Sequence, residues 1–126
     1  VLADRETISP EDLRDKPLIL SQQESPGGSL TQWIGRDTSE LNVIATYNLL
    51  YNASLLVDEG LGYAIGYDKI INTTGDSSLC FRPLNPRLEN KMSIIWKKYH
   101  LFSKAAEKFL EVLRDLLSRP DSSDTL

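Results

Sequence analysis

Along residues 41–67 the spacing of apolar positions switches from alternation to a helical period and back again. Leu41, Val43 and Ala45 alternate with Asn42, Ile44 and Thr46, and the β-branched residues among them favour a pleated, mostly buried strand. Asn48 stands where an N-cap is expected. After it Leu49, Ala53, Leu56 and Val57 share one helical face, and Gly60 sits where the helix must end in a left-handed residue. Residues 62–67 then read as a second short strand. Two strands joined by a helix in so short a stretch run parallel, because a tight antiparallel hairpin needs no helix between its strands. Ligands of open α/β sheets sit beyond the carboxyl ends of the strands, which directs attention to Thr46, Tyr47 and Asn48.

The flanking pattern extends this βαβ unit. Ser9, Pro10, Glu11 and Asp12 combine a capping serine, proline at the first helical position and an acid three residues on, so one helical turn is predicted through Leu13. Residues 17–20 form an apolar run short enough for a buried strand. Leu30, Trp33 and Ile34 mark one face of a helix from about Ser29 to Gly35 or Arg36. Residues 79–84 and 91–97 read as two further strands, with Met92, Ile94 and Trp96 on one face. From Ser103, a broad stripe of Ala105, Ala106, Phe109, Leu110, Val112, Leu113, Leu116 and Leu117 predicts a helix that Pro120 ends, leaving residues 119–126 as a disordered tail. Such a stripe calls for a sheet beneath it; the alternative is a helix that binds a partner.

The polar segments carry the candidate chemistry. The loop from Ser21 to Gly28 offers hydroxyl and amide side chains at a strand's carboxyl end, then glycines that let a ligand approach bare N–H groups at a helix start, where a carboxylate or phosphate is favoured. The other reading is a polar connector whose glycines only allow a turn. The GxxxxGK[ST] phosphate loop is absent. A formal charge of −4 argues against the chain holding a nucleic-acid backbone by itself, leaving small molecules or proteins as partners. The single cysteine, Cys80, and the single histidine, His100, share no catalytic or metal-ligating spacing, so neither a catalytic site nor a metal or cofactor is expected. One unpaired cysteine fits a reducing cytoplasm, and no apolar run reaches membrane-spanning length. Trp33 and Trp96 are expected in the core, with a ligand wall as the alternative. The chain opens on Val1 in the middle of an α/β pattern, which suggests a fragment.

In order, ISPEDLRDKPLIL, a Ser/Gly-rich loop with a tryptophan-bearing helix, NLLYNASLLVDEGLGYAIGYDKI, CFRPLNP, SIIWKK and SKAAEKFLEVL resemble the effector-binding domain of LysR-type transcriptional regulators over residues 2–117. VDEGLGYAI followed by FRPL and IIWKK carries the resemblance most specifically. It implies an α/β, periplasmic-binding-protein-like (type 2) fold of two lobes with a small, anionic effector between them. Residues 1–84 would be lobe two with a returning crossover strand, and residues 85–118 the C-terminal strand and helix of lobe one. DNA would be bound only through an N-terminal winged helix-turn-helix missing here, so the chain alone is not expected to bind an operator, and it should bind effector weakly or not at all. The resemblance assigns effector contacts to Ser21, Gln22, Gln23 and Ser25 in the first loop, and to Tyr47 and Asn48 beside it. It also implies a cytoplasmic, non-enzymatic protein, and because the apolar face of residues 109–117 lacks its sheet, homo-oligomerisation, strand exchange or a covering segment absent here is expected. A solute-binding protein of the transport type, or an enzyme on the same scaffold, are the competing readings.

Overall fold

The computed structural model describes residues 1–24 and 26–118 and divides into two units, Val1–Lys91 and Met92–Leu126. The sheet of the first unit is organised by β1 (Leu18–Ser21), not by the βαβ stretch that follows it. β1 lies in the middle of a three-stranded parallel sheet of order β2-β1-β3, between β2 (Val43–Tyr47) and β3 (Tyr63–Ala64). Its residues are apolar on both faces because both faces are covered, as in a central parallel strand. Leu18 and Leu20 join Leu13, Leu30 and Ile34 in one buried cluster, to which α1 (Ser29–Ile34) contributes its apolar face. Ile19 points the other way. Its partners Ala45 and Ala64 are small, and on that side α2 (Leu50–Asp58), in contact with both outer strands, buries Ala53 completely.

Both glycine helix ends form as the sequence predicts. Gly35 closes α1 at φ 70°, and Gly60 follows α2 at φ 76°. At the second, the Gly60 N–H donates to Val57 O and the Leu61 N–H to Leu56 O, the paired bonds that satisfy the last carbonyls of a helix. The turn at Pro10–Leu13 forms as a 3-10 helix. Asp12 accepts from both the backbone N–H and the hydroxyl of Ser9 at 2.9 Å and pairs with Arg5 at 3.0 Å. The Ser9 backbone hydrogen bond, then its hydroxyl, holds the Asp12 carboxyl below its ordinary value of 3.8. A carboxyl lowered on folding stabilises the folded state above its unfolded pKa and loses that contribution as pH falls through the lower folded value. The Asp12 side-chain carbon should therefore titrate below pH 3.8 by NMR, and Ser9→Ala should move that midpoint upward; an unmoved midpoint would contradict the assignment.

β3 is held by a close approach. The Tyr63 N–H donates to Pro17 O at 2.8 Å, and a Cβ added to Gly62 would lie 2.5 Å from that same backbone oxygen. The oxygen cannot move without breaking the pairing of β1 with β3. Gly62→Ala should accordingly destabilise the unit by about 1–3 kcal/mol, read as a lower urea midpoint.

Two expected strands do not form. Residues 79–84 contribute only a parallel bridge between Ile8 and Leu84, held by Ile8 N–H to Pro83 O and Asn85 N–H to Ile8 O. Residues 91–97 form no strand, and among the described residues the second unit contains none. A strand's backbone groups need a partner ladder, and β propensity alone does not provide one. Trp96, expected in a core, is 48% exposed and meets Phe102 edge-to-face at 5.9 Å. The terminal helix does form, as α3 (Lys104–Ser118), and Phe109, Val112, Leu116 and Leu117 on its apolar stripe are exposed. The tail expected over residues 119–126 lies outside the described residues. Among the described residues no helix is long and apolar enough to cross a membrane.

Candidate functional site

Parallel pairing brings the carboxyl ends of all three strands to one edge. Ser21 ends β1 directly opposite Tyr47, which ends β2, and the chain leaving β3 stays beside β1 through the Ile65 N–H donating to Ile19 O. Because β1 lies between strands reached by crossovers to its two sides, the crevice beyond Ser21 is where an open α/β sheet takes a ligand. Tyr47 spans this edge: its hydroxyl donates to Ile65 O at 2.7 Å. Burial first, then the neighbouring Tyr67 and Glu24, push its phenol above the ordinary value of 10.0, so it stays a protonated donor.

Four of the residues singled out from sequence meet here. Ser21 is half-buried, and its hydroxyl accepts the Gln23 N–H at 3.2 Å while its carbonyl accepts the Glu24 N–H, shaping the turn out of the strand. The Gln22 N–H donates to Tyr47 O at 2.8 Å, which leaves the Gln22 side chain exposed at the rim. Asn48 follows Tyr47 and is exposed. It is not the N-cap of α2, as the helical pattern suggested: the cap is Leu49, with no side-chain capping bond. The backbone continues extended for one residue more than the sequence reading allowed, which keeps Asn48 outside the helix. Gln23 sits exposed in the turn, and Ser25 lies outside the described residues.

Three participants were missed. Glu24 Oε1 accepts the Leu30 N–H at 3.3 Å, so the chain's own carboxylate occupies the start of α1, where one of the two sequence readings of this loop leaves room for an anion. The glycine carbonyls there are also engaged, Gly28 O by the Thr31 hydroxyl and Gly27 O by the Gln32 amide. An acid shortly before a glycine-led helix start is the signal that could have revealed Glu24. Tyr67 and Asn90 join the rim through a hydrogen bond at 3.3 Å, and Asn90 also accepts from the Ser29 hydroxyl at 3.0 Å. No local pattern announces a contact between residues so far apart in sequence.

Two surface hollows lie elsewhere. One of about 280 Å³ is bounded by Arg5, Asp12, Arg14, Lys16 and Tyr63 near the amino ends of the strands. One of about 90 Å³ lies between α2 and the chain after β3, where Cys80 and Phe81 border it. At the sheet edge Gln22, Gln23 and Asn48 are exposed. His100, in the second unit, packs edge-to-face on Phe102 at 5.1 Å. Among the described residues no three His, Cys, Asp or Glu side chains gather as metal ligands would.

A family model described as the LysR substrate binding domain matches residues 1–118. No curated protein and no solved structure matches the chain.

Proposed function

The chain belongs to the LysR substrate binding domain family, and from that premise we propose that it is the effector-sensing part of a DNA-binding transcriptional regulator. The observation that carries this reading is the convergence of Ser21, Gln22, Tyr47 and Asn48 at the carboxyl edge of the parallel sheet. A small metabolite is taken there between two lobes, with residues 1–84 as lobe two and residues 85–118 as part of lobe one. Ser21 and Tyr47 form the floor of the site; Gln22, Gln23 and Asn48 supply adaptable amide contacts, with Ser25 beside them. The effector carries a negative charge, and it reaches the Leu30 amide by displacing Glu24. DNA is contacted through a separate domain, the protein works in the cytoplasm as a homo-oligomer, and it catalyses no reaction. A ligand shifts such a sensor only by its difference in affinity between lobe arrangements. The family match favours this reading over transport-type solute binding.

The test is a transcriptional reporter driven by the regulator that carries this domain, exposed to a panel of small carboxylate metabolites. A subset should change expression, and Gln22→Ala with Asn48→Ala should abolish the response without lowering the amount of protein. An undiminished response in that double variant would count against the site.

A further inference from the structure

Residues 86–90 run beside α1 in the opposite direction and are fastened to it at both ends. The Trp33 indole N–H donates to the Pro86 carbonyl, and one helical turn earlier the Ser29 hydroxyl donates to Asn90 Oδ1 at 3.0 Å. Between these points Leu88 packs against the buried cluster. Among the described residues no backbone–backbone hydrogen bond holds 86–91, so side chains alone secure it. Asn90 is the residue on which this converges. Its amide uses the acceptor on Ser29 and a donor on the Tyr67 hydroxyl at 3.3 Å, joining the end of the β1–α1 loop to the chain leaving β3. Those segments flank the sheet edge: Tyr67 lies just past Ile65, whose carbonyl takes the Tyr47 hydroxyl, and Ser29 opens the helix whose first turn Glu24 holds. Asn90 is followed by Lys91, the last residue of the first unit.

We propose that Asn90 is a positioning residue that couples the effector site to residues 86–91, the segment by which the chain leaves its first unit. The inference rests on the carboxyl edge being that site. Ligand contacts that draw Tyr67 or Ser29 away from Asn90 release the segment, and contacts that keep them in place fasten it.

Limited trypsin digestion of the chain tests this without any effector, so its failure is separate from failure of the effector reading. Arg87 and Lys91 flank Asn90, and Lys97 and Lys98 in the second unit provide an internal reference. Ser29→Ala should speed cleavage after Arg87 and Lys91 by about three- to tenfold relative to the reference, as expected for one lost hydrogen bond when cleavage follows the open population, and Asn90→Ala, which loses two, should speed it at least as much. Asn90→Asp should cleave at the wild-type rate, because a carboxylate accepts from both hydroxyls. Tyr47→Phe alters the edge without touching the segment, and it should also speed cleavage at Arg87 and Lys91. A wild-type rate in Asn90→Ala overturns the tether. Fast cleavage in Asn90→Ala with a wild-type rate in Tyr47→Phe, at an unchanged urea midpoint, overturns the coupling.

Discussion

Ile19→Ala is expected to destabilise the first unit by about 2–5 kcal/mol, the range for truncating a buried isoleucine to alanine. Ile19 is fully buried in the central strand, flanked across the sheet by Ala45 and Ala64 and covered on the side where Ala53 is buried. Those alanines are too short to close the cavity, and α2 cannot settle onto the sheet without disturbing its contacts with β2 and β3. The loss should therefore fall toward the upper part of the range. Ile19→Val, which removes one methylene, should cost about 0.5–1.5 kcal/mol. Urea denaturation followed by circular dichroism measures both. A difference below about 1 kcal/mol between the alanine variant and wild type would mean that β1 is not the centre of the core.

Ser21→Asp is expected to weaken binding of an anionic effector by about two orders of magnitude, because like charges brought together at a desolvated contact cost several kcal/mol. The substitution is chosen to spare the fold. The Ser21 hydroxyl accepts the Gln23 N–H, and an aspartate side chain accepts the same bond in an Asx turn. Ser21→Asn keeps that turn without the charge and should bind within about tenfold of wild type. Calorimetric titration with a metabolite active in the reporter separates the outcomes. Equal, strong losses in both variants would mean that shape, not charge, governs the position; equal, small losses would remove Ser21 from the site.

The parts legible in the sequence are those decided by neighbouring residues. Gly60 and Gly35 fix their helix ends by backbone conformation alone, and the run of apolar residues from Leu18 to Leu20 fixes a buried strand. Ser21, Gln22, Tyr47 and Asn48 lie together because a parallel sheet brings the carboxyl ends of its strands together wherever it forms. What was not legible depends on distant partners. Ile94, Ile95 and Trp96 have the composition of a strand but no ladder to join, and Ile95 remains 88% exposed. That β1 lies between the other two strands is a matter of topology, which the βαβ pattern of residues 41–67 does not contain. Glu24 is not legible because the attraction of a helix start for an anion does not say whose anion it is, and here the chain supplies its own carboxylate. Asn90 meets Ser29 across 61 residues of sequence, a separation at which no periodicity has meaning.

The proposed function places small molecules at the carboxyl edge of the sheet. Its most direct test is to titrate a library of small carboxylate metabolites into the isotope-labelled chain and follow backbone amide shifts by NMR. Ligands that bind should shift the amides of residues 21–24, 47–48 and 65–67 together, with Ser21→Asp suppressing those shifts. Shifts confined to Arg5, Arg14 and Lys16, or to the surroundings of Cys80, with the sheet edge silent, would contradict it.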